Sequence, residues 1–191
     1  MRVIAGSAKG TTLAPVPPGV RPVSDRAREG LFSSLAAEVD GARVLDLFAG
    51  TGALAIEALS RGADRAVLVE RDPRAAAMIR ENLDRTHMAE RARIVRAPVA
   101  RFLERPSEEE PFELVFLDPP YTADPAEIGV ALRALTARPM LADDATVVLT
   151  RDSRSSNDVI PVDWLTLKRL TYGDSVVTLC RPRKQPRTTE E

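Results

Sequence analysis

The stretch Val44-Leu45-Asp46-Leu47-Phe48-Ala49-Gly50-Thr51-Gly52-Ala53-Leu54-Ala55-Ile56-Glu57-Ala58-Leu59 constrains the fold more than any other part of this chain. Val44 to Phe48 is apolar except for one aspartate, the composition of a buried strand. Ala53 to Leu59 has helical spacing, with Leu54, Ala58 and Leu59 available to one face. Only Ala49-Gly50-Thr51-Gly52 separates the two. Gly50 and Gly52 can take positive φ, and without a Cβ they let a ligand approach the backbone. A strand, a glycine turn and a helix N-terminus in that order make a site for a nucleotide-like ligand. Short glycine motifs also occur in ordinary βα turns, so other residues must decide between the two readings.

Two departures from the dinucleotide fingerprint narrow the ligand. Ala55 stands where the third glycine would be. Asp46, near the strand end, would repel phosphate and suits a cation. S-adenosylmethionine carries an ammonium and a sulfonium and no phosphate. Glu70, 18 residues past Gly52 (70 − 52 = 18), ends the next apolar run, where an acidic residue can accept hydrogen bonds from ribose hydroxyls. Asp118-Pro119-Pro120-Tyr121 follows a third apolar run, Phe112 to Leu117, and should reach the same rim. Two prolines stiffen that turn and leave its carbonyls without local donors. A carboxylate beside a backbone carbonyl can accept both hydrogens of an exocyclic amine, and Tyr121 offers a face on which a base can stack.

The rest of the chain alternates strand and helix. Short strands are expected at Arg2–Ala5 and Lys9–Leu13, then a proline- and glycine-rich loop from Pro15 to Pro22. Ser24 or Asp25 caps a helix to about Glu38. Asp72-Pro73 and Asp124-Pro125 each read as a cap followed by a first-turn proline. Further strands are expected at Ala66–Glu70, Arg93–Val95 and Thr146–Leu149, with a short helix at Pro98–Leu103. Leu165–Leu170 and Ser175–Cys180 read as a closing hairpin. The expected fold is α/β and Rossmann-like: a mostly parallel seven-stranded sheet with a C-terminal antiparallel hairpin and a small N-terminal β-hairpin extension.

Composition excludes some classes. Cys180 is the only cysteine, so an internal disulfide or a cysteine metal cluster is ruled out. No apolar run approaches the ~20 residues of a membrane span, and no secretory leader pattern opens the sequence, so a cytoplasmic location without membrane contact is expected. Net charge is −1, but basic residues gather near both ends while Glu108-Glu109-Glu110 lies between them. Such ends suit a phosphate-contacting surface.

These residues resemble the class I S-adenosylmethionine-dependent methyltransferases that modify exocyclic amines, and more closely the RsmD family, which methylates the N2 amine of one guanine in bacterial small-subunit (16S) ribosomal RNA. The resemblance covers nearly the whole chain. Arg2-Val3-Ile4-Ala5-Gly6 with Lys9-Gly10, and Arg21 to Glu29 followed by Leu31-Phe32, are similar to the family's two N-terminal signatures. Leu45 to Leu54, Glu57 to Ala63 and Asp118 to Tyr121 are similar to its cofactor and catalytic regions. The resemblance implies S-adenosyl-L-methionine bound by Asp46, Phe48, Ala49, Gly50, Thr51 and Gly52, with Glu70 and Arg71 at the second strand. It implies catalysis by Asp118, Pro119, Pro120 and Tyr121, and RNA contacts from Arg2, Lys9, Arg21, Arg26 and Arg28. The implied partner is ribosomal RNA in an assembling small subunit, with no metal. Residues 1–22 would then form an RNA-docking extension, 23–184 the catalytic domain and 185–191 a disordered tail.

The chain departs from the family at Val23 and Ser33, where threonine and asparagine are usual. Ala97-Pro98-Val99 also lacks the Asp or Asn that meets adenine in many methyltransferases, which leaves a backbone group of Ala97 or Val99 for that contact. Two other classes fit the same motifs less fully: an amino methyltransferase acting on adenine N6 or on glutamine, and a non-catalytic RNA-binding scaffold.

Overall fold

The computed structural model describes residues 1–15, 24–105, 110–155 and 158–183. An N-terminal segment is followed by α1 (Asp25–Ser34), α2 (Ala36–Val39), β1 (Arg43–Leu47), α3 (Ala53–Ser60), β2 (Arg65–Glu70), α4 (Pro73–Arg85), β3 (Ala92–Arg96), α5 (Val99–Leu103), β4 (Phe112–Leu117), α6 (Pro125–Thr136), β5 (Leu141–Asp152), β6 (Trp164–Tyr172) and β7 (Ser175–Pro182). One sheet holds the seven strands in the order β3-β2-β1-β4-β5-β7-β6. The first five pair in parallel, and β7 is antiparallel to both β5 and β6. Strand order reverses between β1 and β4, which opens a crevice at their carboxyl ends.

Alternation along each strand splits the core into two layers. Val44, Leu68, Leu114, Phe116 and Val148 pack with α1, α3 and α4. Leu45, Leu47, Val67, Val115, Leu117 and Leu149 pack with α5 and α6. Apolar residues on both faces suit strands covered on both sides, as parallel sheets require. The capping readings hold. Asp72 accepts from Arg74 N and Ala75 N, and Asp124 from Ala126 N, each followed by proline.

Several elements differ from expectation. The first helix breaks at Leu35, because the Ser34 hydroxyl donates back to Gly30 O at 3.1 Å and loosens the last turn. Strand β5 is longer than read, because β4 supports its start (Phe112↔Leu141) and β7 its end (Asp152↔Ser175). The N-terminal hairpin reduces to a single bridge, Arg2↔Thr12. Val3 N→Thr11 O (3.0 Å), Gly10 N→Val3 O (2.9 Å) and Leu13 N→Met1 O (3.0 Å) still close it as a hairpin, and its backbone bonds to helices as well. Ile4 N and Ala5 N donate to Glu57 at 2.8 and 3.1 Å, Ser7 N to Ser60 O at 2.8 Å, Ala8 N to Ser60 Oγ at 3.0 Å, and Ala14 N to Asn82 Oδ1 at 2.7 Å. The approach is so close that a Cβ on Gly6 would collide with the Ser60 carbonyl. Helix α3 is therefore buried on every side, not on one face, since the sheet covers one flank and the N-terminal segment the other. Most of the proline loop and the whole of the 185–191 tail lie outside the described residues.

Candidate active site

At the crevice, Leu47 pairs with Val69 on one side and Leu117 on the other. The next residues, Phe48, Glu70 and Asp118, share one rim, Glu70 as the last paired residue of β2 (opposite Arg96) and the other two just past their strands, where Asp118 N donates to Leu47 O at 3.4 Å. Phe48 then takes φ 65°, a left-handed conformation that costs a non-glycine residue roughly 1–2 kcal/mol. Ala49 N→Val69 O (3.1 Å) and Gly52 N→Ala49 O (2.7 Å) hold the turn in place. Gly52 is needed twice over. Its φ is 75°, and a Cβ there would press Leu68 at 3.1 Å and Ile79 at 3.3 Å.

Three carboxylates surround this turn. Asp46 is buried beneath it and accepts from Ala55 N at 3.2 Å, which satisfies one of the open amides in the first turn of α3. Its other oxygen, Oδ1, is enclosed with no hydrogen-bond partner. Burial, with the charges of Asp118 and Glu70 adding to it, pushes its pKa up to about 8 against the opposing Ala55 bond. Glu70 is half-buried and clamps the turn, accepting from Gly50 N at 2.9 Å and from Asp72 N at 2.8 Å. Asp118 stands half-open at the end of β4, and enclosure pushes its pKa up to about 7 while the Thr150 hydroxyl counters by bonding to the carboxylate. Thr150 lies on β5, one step past the Leu117↔Leu149 pair and so beside Asp118.

The remaining expected residues divide. Pro119 is buried, while Pro120 and Tyr121 are exposed. Tyr121 keeps half its surface open, and its hydroxyl meets Ser175 Oγ at 3.1 Å, tying the turn after β4 to β7. Arg71 is exposed beside Glu70. The Val99 side chain is buried in the core layer that also holds Leu45 and Leu47, so only its backbone is free to meet a ligand; Ala97 is half-buried. Arg2, Lys9 and Arg26 are exposed. Arg28 corrects the reading of it as a phosphate contact. It is fully buried and donates to Arg2 O at 2.6 Å and to Asp25 at 2.7 Å, joining α1 to the N-terminal segment. Arg21 lies outside the described residues. The sequence reading missed Glu57, Ser60 and Asn82, the buried anchors of the N-terminal segment. A usable signal was present: two polar residues in an otherwise apolar helix, and an asparagine beside the core position Leu83.

Known proteins resemble this chain over nearly its whole length. Residues 1–181 match the family model described as Conserved hypothetical protein 95. The chain is 38% identical to the Ribosomal RNA small subunit methyltransferase D of Escherichia coli (strain K12), over 97% of this chain and 91% of that protein. The Haemophilus influenzae protein of the same name is 33% identical over 91% and 89% of the two chains. The solved structure of yhhF from Escherichia coli superposes with a TM-score of 0.84 at 34% identity, over 97% of this chain and 99% of that one. A match that runs through the N-terminal segment, the glycine turn and the Asp118 turn alike shows that this chain belongs to the RsmD family of methyltransferases.

Proposed function

We propose that the protein transfers a methyl group from S-adenosyl-L-methionine to the N2 amine of a guanine in small-subunit ribosomal RNA, acting in the cytoplasm on an assembling subunit. The observation that carries this reading is the ring of Asp46, Glu70 and Asp118 around a left-handed turn at the switch point of the sheet. The residues present fit the cofactor. A cation beside Asp46 answers the unpartnered Oδ1 and the cost of a buried carboxylate. Glu70 has spent one lone pair of each oxygen on backbone amides, and the rest remain for ribose hydroxyls. Backbone groups of Ala97 and Val99 are left for the adenine edge.

S-adenosylmethionine supplies a methyl group already activated on sulfonium. The chain's own residues must prepare the amine, whose lone pair is delocalised into the purine ring. Asp118 and the Pro119 carbonyl accept its two hydrogens and localise that pair toward the methyl. Fixed acceptors of this kind act by orientation and electrostatics. With a pKa near 7, Asp118 is also suited to take the proton that the methylated nitrogen gives up. Tyr121 stacks on the base once it leaves its helix, and Ser175 keeps the ring in place.

Asp118→Ala tests the assignment. Single-turnover methylation of ribosomal RNA with saturating cofactor should slow about 10²–10³-fold, while cofactor affinity stays near wild type. Transfer at the wild-type rate would remove Asp118 from the chemistry. Loss of cofactor binding would move it into the cofactor pocket.

A further inference from the structure

Asn82 lies on α4, fully buried, between two backbone groups of opposite polarity. Its Oδ1 accepts from Ala14 N at 2.7 Å, and its Nδ2 donates to Thr51 O at 2.9 Å. Only one orientation of the amide serves both, since the amide N–H needs the oxygen and the carbonyl needs the NH₂. Thr51 O belongs to the Thr51–Gly52 peptide, whose other end, Gly52 N, donates to Ala49 O at 2.7 Å. The peptide from which α3 starts is thus fixed at both ends, and Asn82 holds one of them. Ile79, one turn earlier on α4, packs against Gly52 and braces the same spot. Both Asn82 bonds are buried, so losing either strands a polar group.

We infer that Asn82 is a positioning residue that sets the Thr51–Gly52 peptide and ties it to Ala14, so that cofactor affinity and order in the N-terminal segment are coupled. The inference rests on the glycine turn being the cofactor site. A ligand that needs this peptide orientation strengthens the Ala14 bond through the shared amide. By reciprocity, RNA that orders the N-terminal segment tightens cofactor binding.

The test uses the full chain with Asn82→Asp, Asn82→Leu and Ser60→Ala. Ser60→Ala loosens the segment at Ala5 and Ala8, where Ser60 Oγ bonds to both, without touching the turn. Calorimetry gives S-adenosylmethionine affinity, and amide hydrogen exchange follows residues 8–14 with and without it. In wild type, cofactor should slow exchange at Ala14 several-fold. Asn82→Asp keeps an acceptor for Ala14 N but sets a charged oxygen against Thr51 O. It should lose about tenfold in affinity and its cofactor-dependent protection. Asn82→Leu should lose both, and Ser60→Ala, which loosens the segment but keeps both Asn82 bonds, should lose affinity by a clearly smaller factor than Asn82→Asp. Unchanged wild-type exchange on adding cofactor overturns the coupling, even if the Asn82 variants do not fold. So does wild-type affinity in Asn82→Asp, or an equal loss in Ser60→Ala. Failure of the wild type to bind S-adenosylmethionine at all instead removes the premise, and the coupling with it.

Discussion

Asp46 and Glu70 each accept from a backbone amide at or just past the same turn, Ala55 N at 3.2 Å and Gly50 N at 2.9 Å, yet answer to different physics. Asp46 is a buried carboxylate whose folded pKa of about 8 lies above its ordinary 3.8. A raised carboxylate binds its proton more tightly when folded, so its contribution to stability is complete below pH 3.8 and lost as pH rises through 8. Cofactor-free protein should therefore lose stability between pH 5 and 8, and Asp46→Asn should flatten that slope. Thermal melts across the range check it; parallel slopes in the two proteins would show that Asp46 ionises as freely folded as unfolded. Glu70 works by hydrogen bonding, since it closes the turn through Gly50 N and Asp72 N. Glu70→Ala should weaken S-adenosylmethionine binding about 10–100-fold, having lost both the ribose acceptor and the clamp. Calorimetry that finds wild-type affinity would remove Glu70 from the site.

Among elements, α3 shows how a short helix can be apolar all round and still be specified. Its eight residues are buried, yet Glu57 and Ser60 are polar. Each exists for the N-terminal segment: Glu57 accepts from Ile4 N, Ala5 N and Arg61, and Ser60 Oγ accepts from Ala8 N and donates to Ala5 O. Glu57→Ala should cost about 3 kcal/mol in denaturant melts, because two half-buried backbone amides and Arg61 lose a fully buried, charged acceptor. A loss under 1 kcal/mol would mean those amides find water. The breaks seen elsewhere are of the same kind. The first helix ends early because of a side-chain bond from Ser34, and the short N-terminal hairpin is held by bonds to α3 and α4 as well as by its own cross-strand bonds.

For the whole molecule, the exposed cations Arg2, Lys9 and Arg26 bear on substrate capture. Replacing all three with glutamine should lower the dependence of RNA affinity on salt by about two units of log–log slope, at roughly 0.7 per lost phosphate contact. Cofactor affinity should not change. A salt slope equal to that of wild type would place the RNA elsewhere on the surface. Arg28 is left out because it is locked inside, where its loss would test folding and not docking.

The sequence by itself determined the parts whose physics is local. A run of apolar residues broken by Asp46, the paired glycines, the Asp-Pro caps and the stiff turn at Asp118 act through backbone geometry and near neighbours, so their spacing alone implied the sheet, its winding and its loaded rim. What only the tertiary structure decided are the partners of groups far apart in the chain. Arg28 has the same chemistry as Arg26, and nothing in their spacing says that one meets solvent while the other bonds to Arg2 O. Asn82 is one asparagine on an otherwise ordinary amphipathic helix until the fold brings Ala14 and Thr51 to either side of it, 68 and 31 residues away. A buried polar group must find its complement, and which complement it finds depends on where packing puts the rest of the chain.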